Sequence, residues 1–169
     1  DVLAGLIVLT GLYWFFTVHE RRTAGLEALL AATIVFLPWL QIKFAATCVV
    51  LVLSITAKIY FQSRDLKRIV RILIIAGASC LALAAYNYYA FGKISGPYHS
   101  GALEVSKTSL MVLLGLHFDQ NQGFILQNPV SLIGILAIGW MYKLNRTFSL
   151  VWALVFLSLI VPNALPPNW

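Results

Sequence analysis

Residues 87–129, NYYAFGKISGPYHSGALEVSKTSLMVLLGLHFDQNQGFILQNP, form the longest interval between strongly apolar runs, and whether they cross a membrane decides the fold. The middle part, residues 100–118, is helix-like but uneven. Glu104, Ser106, Lys107, Thr108 and Ser109 crowd its first half, while Leu110, Val112, Leu114 and Leu116 make its second half apolar. As a helix it would be about 28 Å long at the usual rise, nearly enough for the roughly 30 Å hydrocarbon layer. The charges on either side of it settle the expectation.

Outward from this interval the chain is a series of apolar runs. A spanning helix needs about 20 mostly apolar residues, with about 17 as the lower bound. Runs at 2–18, 24–40, 44–61, 69–91, 125–142 and 147–161 approach or meet that length, though the last two are short. The apolar fraction is 60% and the charged fraction 11%, against about 45–50% and about 25% in ordinary soluble domains, and the mean hydropathy is +0.86. The expected fold is therefore all-α, a polytopic bundle of about six transmembrane helices forming one membrane domain over residues 1–169. Its first residue, Asp1, already borders an apolar run with no basic leader, so the chain reads as an internal piece of a longer polypeptide.

If Arg21 and Arg22 face the cytoplasm, alternation of six spans puts Lys58, Arg64, Lys67, Arg68, Arg71, Lys143 and Arg146 on the same side. That makes nine there and leaves Lys43, Lys93 and Lys107 opposite, which accounts for all 12 basic residues. Cytoplasmic enrichment of Lys and Arg is the usual orienting signal. A seventh span at 100–118 would move Lys143 and Arg146 outside and weaken the bias. The expectation is thus an extracytoplasmic loop at 92–124 whose helix, about 100–118, lies on the outer interface. The net charge of +6 is explained by topology, and no nucleic-acid partner is expected.

Several chemical classes find no support. There is no nucleophile elbow, phosphate loop or dinucleotide fingerprint. Cys48 and Cys80 sit inside apolar runs without a CxxC pairing and read as packing residues. His117 and Asp119, with His99 and Glu104 farther off, do not have metal-ligand spacing, so no metal site is assigned. Glu27 and Lys58 are ionisable groups within apolar runs, but both fall near the cytoplasmic ends, which argues against an ion pathway. Gly134 and Gly139 are read as points of close helix approach. A cluster of polar groups, His117, Asp119, Gln120 and Gln122, lies between two apolar runs. It suits recognition of a sugar or polar head group, and serves equally as a solvated helix stop.

Three stretches carry a resemblance. Residues 113–124, LLGLHFDQNQGF, followed by Asn128-Pro129-Val130; residues 37–44, LPWLQIKF; and residues 86–92, YNYYAFG, with Gly96-Pro97-Tyr98, together resemble bacterial polytopic glycosyltransferases of the GT-C fold. That superfamily includes protein mannosyltransferase-like enzymes that draw sugars from polyprenyl phosphate. The resemblance implies the later part of a membrane domain in a bacterial inner membrane, acting on a polyprenyl-phosphate-linked sugar. It implies candidate substrate-binding roles for Asp119, Gln120, Gln122, His117, Glu104, Tyr98, His99 and Asn87, and phosphate-binding roles for Lys93 and Lys107. No cofactor is firmly implied; a divalent metal at the donor phosphate is the one candidate. The first exterior loop, where such enzymes carry a catalytic carboxylate, has no counterpart in these residues, so the catalytic base is unassigned. The competing expectation is a non-catalytic scaffold bound to other membrane subunits.

Overall fold

The computed structural model describes residues 2–20, 22–94, 96, 111, 112, 114 and 130–164, and every regular element among them is helical. The chain divides into two units, Asp1–Tyr98 and His99–Trp169.

In the first unit, α1 (Val2–Phe16) leads through a turn to α2 (Ala24–Val35), which Thr23 caps by accepting from Leu26 N at 3.4 Å. The 24–40 run is not one helix. It breaks at Phe36 and resumes as the single turn α3 (Leu37–Leu40), with Pro38 in its first turn. Proline has no N–H to continue the ladder of α2 but fits the start of a new helix. After extended Gln41 comes a 3-10 turn, Ile42–Phe44, running directly into α4 (Ala45–Ser63). Arg64 then closes α4 in the left-handed region at φ 54°, and Asp65 opens α5 (Leu66–Phe91), its Oδ1 accepting from Arg68 N at 3.2 Å. This cap starts α5 earlier than the expected run at 69–91 and draws Lys67 and Arg68 into the helix.

The core of this unit lies between α1, α2 and α4. Trp14, Phe15, Ile34, Leu37, Leu51, Ile55 and Ile59 are almost completely buried. At Gly11 a Cβ would come within 2.9 Å of a Leu51 methyl, so α1 packs close to α4 there and any side chain would require Leu51 to shift. In contrast, α5 shows most of its length outward, with Leu66, Val70, Ile74, Leu81, Tyr88 and Tyr89 exposed. Cys48 packs inside α4, whereas Cys80 lies on the exposed surface of α5 and is not a core residue.

The second unit contains the hairpin α6 (Val130–Leu144) and α7 (Arg146–Ala164). Asn145 makes the turn: its N–H donates to Met141 O at 2.7 Å, and its side-chain oxygen accepts from Phe148 N at 3.0 Å. Ser149 ties the helices together by donating to Ile138 O at 2.7 Å. The helix continues through Pro162 to Ala164 rather than ending before it, because a proline in a last turn removes only one ladder bond. Among the described residues, nothing lies within 4 Å of a Cβ built on Gly134 or Gly139. The close helix approach is at Gly11 instead.

Among the described residues, two helices, Ile42–Ser63 and Leu66–Phe91, have the length and apolar composition to cross a membrane. Val2–Phe16, Ile133–Leu144 and Arg146–Pro162 are shorter apolar helices, and Ala24–Leu40 is a shorter apolar stretch interrupted at Phe36.

Candidate functional site

Of the residues singled out in the sequence, Tyr98, His99, Glu104, Lys107, His117, Asp119, Gln120 and Gln122 lie outside the described residues. Asn87 and Lys93 are described. Asn87 is buried on the last turns of α5 and donates from Nδ2 to Ile94 O at 3.0 Å. Gly92 ends the helix at φ 68°, its N–H donating to Tyr88 O at 2.9 Å. Gly96 sits at φ 75°, and a Cβ there would stand 3.4 Å from the Asn87 amide. Left-handed φ values favour glycine because other residues meet their own carbonyl oxygen. Residues 86–94 with Gly96 therefore form a helix stop whose returning chain is pinned by Asn87, with Lys93 exposed.

The LPWLQIKF stretch is pinned beside it. Trp39 donates from Nε1 to Ser79 Oγ at 3.0 Å, and Ser79 donates onward to Val35 O at 3.2 Å, where α2 ends. The Trp39 ring lies 6.1 Å from that of Tyr86, which in turn meets Phe91 edge-on at 6.5 Å. Two stretches noted separately in the sequence thus form one aromatic end of the first unit.

The opposite end is ionic. Glu27 is 3% exposed, and its two carboxylate oxygens face Arg68 Nη2 at 2.5 Å and Arg71 Nη1 at 3.5 Å. Arg68 also donates to Val18 O at 3.3 Å, just beyond α1. From α4, Lys58 donates to Phe15 O at 2.7 Å and to Phe16 O at 3.3 Å, and its ammonium lies 4.4 Å from the Phe15 ring centre. These are terminal carbonyls of α1, where a cation is favoured. Arg22 donates to Thr17 Oγ1 and to Glu20 Oε2. Around them opens a cleft of about 600 Å³ lined by His19, Arg22, Glu27, Ser63, Asp65, Arg68 and Arg71.

Sequence reasoning placed Glu27 near the cytoplasmic end of its apolar run. Its burial against two arginines of α5 is what that reading missed. The available signal was Arg68 and Arg71 three positions apart, and so on one helical face, together with a single acid inside an apolar run. Among the described residues no group of three or more His, Cys, Asp or Glu could hold a metal ion.

Compared with protein-family models, curated proteins and solved structures, the chain matches none.

Proposed function

We propose that this chain is part of an integral-membrane glycosyltransferase, polytopic and of the GT-C type, which moves a sugar from a polyprenyl-phosphate donor to an acceptor on the face opposite the arginine-rich end. The observation that carries the reading is the contact between Trp39 and Tyr86. It brings two of the three resembling stretches to one end of the first unit, away from Arg68 and Arg71. A distribution of Lys and Arg in which most lie cytoplasmic makes this aromatic end, and the loop at 92–124, extracytoplasmic. In such a reaction the acceptor hydroxyl attacks the anomeric carbon, a carboxylate takes the hydroxyl proton, and the bond to phosphate breaks as polyprenyl phosphate leaves. Lys93 and Lys107 offer charge to the phosphate, and Asp119, Gln120 and Gln122 offer hydrogen bonds to sugar hydroxyls.

The test is transfer of tritium from polyprenyl-phosphate-linked mannose, and from the galactose and arabinose equivalents, in membranes containing the full-length protein. Asp119→Asn lowers transfer by about tenfold or more, the loss of a charge-assisted hydrogen bond, with membrane integration unchanged. Wild-type transfer in that variant returns Asp119 to a helix stop.

A second reading, a non-catalytic scaffold for other membrane subunits, is favoured by one feature. Trp39, Asn87 and Gly96, all within the resembling stretches, are committed to holding the fold together. Stoichiometric co-purification with such subunits, no transfer from any of the three donors, and unchanged glycans on deletion would establish it.

A further inference from the structure

The ionic end does more than close the bundle. Arg71 lines the cleft around Glu27 and also a second depression, a shallow groove of about 440 Å³ formed by Leu66, Lys67, Val70, Arg71, Ile74 and Ile75 along α5. The groove covers ten residues of helix, so it runs about 14 Å along the axis. Its first turns carry the two cations and the rest is aliphatic. Glu27 uses only one side of Arg71, whose side chain remains 37% exposed, and Lys67 is exposed beside it. The nearby carboxylates are already engaged: Glu27 by the two arginines, Asp65 by the Arg68 N–H, and Glu20 by Arg22. The result is an apolar track whose first turns are lined by the side chains of two basic residues, Lys67 and Arg71, at the end of a helix long enough to cross a membrane.

We propose that Lys67 and Arg71 bind the phosphate of an anionic phospholipid from the adjoining leaflet, with one acyl chain lying along Val70, Ile74 and Ile75. The match is one of charge and polarity: guanidinium and ammonium groups pair with a phosphodiester, and basic sites at the ends of membrane helices attract anionic head groups. A soluble anion would use the cations and leave the groove empty. An uncharged lipid would use the groove and leave the cations unmatched. The inference rests on the membrane reading above but not on sugar transfer.

The test uses the full-length protein, first checked for resistance to carbonate extraction, then purified in detergent and mixed with equal amounts of phosphatidylglycerol and phosphatidylcholine of the same acyl composition. Bound lipid is counted by native mass spectrometry. The expected result is retention of phosphatidylglycerol over phosphatidylcholine, reduced about fivefold by Lys67→Gln and further by adding Arg71→Gln, with Lys143→Gln unchanged. Lys67 stands outside the Glu27 cluster, so its substitution separates lipid binding from any loosening of that cluster. Equal retention of the two lipids, or full retention in Lys67→Gln/Arg71→Gln, overturns the proposal. So does displacement of phosphatidylglycerol by an equal concentration of glycerol phosphate, because the groove then contributes nothing. Release by carbonate overturns the membrane reading with it.

Discussion

The two ends of residues 2–94 are held by different chemistry. At one end a buried carboxylate, two arginines and a lysine bind α1, α2, α4 and α5. At the other, an indole N–H, a serine hydroxyl, an asparagine amide and tilted and edge-on rings bind α2, α3 and α5. Every charge at the ionic end depends on its partner, since a buried ion left alone keeps its desolvation cost and loses its compensation. The aromatic end is a sum of neutral contacts, each worth about 1 kcal/mol. Single substitutions should therefore be costly at the first end and mild at the second.

The largest effect is expected at Glu27. Glu27→Gln leaves Arg68, only 17% exposed, and Arg71 facing one another without a counter-charge. Removing one partner of a buried ion pair costs about 3 kcal/mol or more, read as loss of thermal stability in detergent micelles. Glu27→Asp should recover part of it. If Glu27→Gln unfolds like the native protein, the ionic end does not hold the helices, and the contrast between the ends fails.

Next is Lys58. Lys58→Met keeps most of the aliphatic stem but removes the bonds to the terminal carbonyls of α1. The expected loss is about 2 kcal/mol, combining hydrogen bonds to a charged donor with the favourable placement of a cation at a helix C-terminus. Hydrogen exchange checks the location: protection should fall in the last turn of α1 before it falls in α4.

At the aromatic end, Gly96→Ala tests the pinned turn. The left-handed φ of 75° costs an alanine about 1 kcal/mol, and its Cβ would sit against the Asn87 amide. The amides of Ile94 and Gly96 should then exchange faster, with the core untouched. An unchanged exchange pattern would mean that the turn is not held through Gly96.

How much of this was legible beforehand follows from how local each feature is. The Arg64-Asp65 break, the helix stop at Gly92 and the interruption around Pro38 are written in adjacent residues, because caps and prolines act within one turn. The pairings of Glu27 with Arg68 and Arg71, of Lys58 with α1 and of Trp39 with Ser79 join residues far apart in sequence. No periodicity announces them. Charge counting assigned Lys43 and Lys93 to the side opposite the arginines, an assignment that depends only on which turn a residue occupies. It could not say that the same cations would close α1 and neutralise Glu27. Of the candidate site, Asn87 was named as a substrate-binding candidate; its bond to Ile94 was not legible, since that depends on the returning path of the chain.

The smallest effect is expected at Trp39, and it tests whether the two ends are independent. Trp39→Phe keeps an aromatic ring near Tyr86 but removes the bond to Ser79, a loss of about 1 kcal/mol. Glu27 and Trp39 are twelve residues apart along α2 and α3, about 18 Å at the helical rise, and share no bonded partner. Substitutions so separated add to within about 0.5 kcal/mol. The variant carrying both Glu27→Gln and Trp39→Phe should therefore lose the sum of the two single losses. A shortfall or excess well beyond that margin would show that α2 transmits strain from the ionic end to the aromatic end. A ligand at either end would then be felt at the other. Additivity instead makes them two separate clamps that share α2 and α5, so that Trp39 can be altered to probe the aromatic face without disturbing the arginines that grip Glu27.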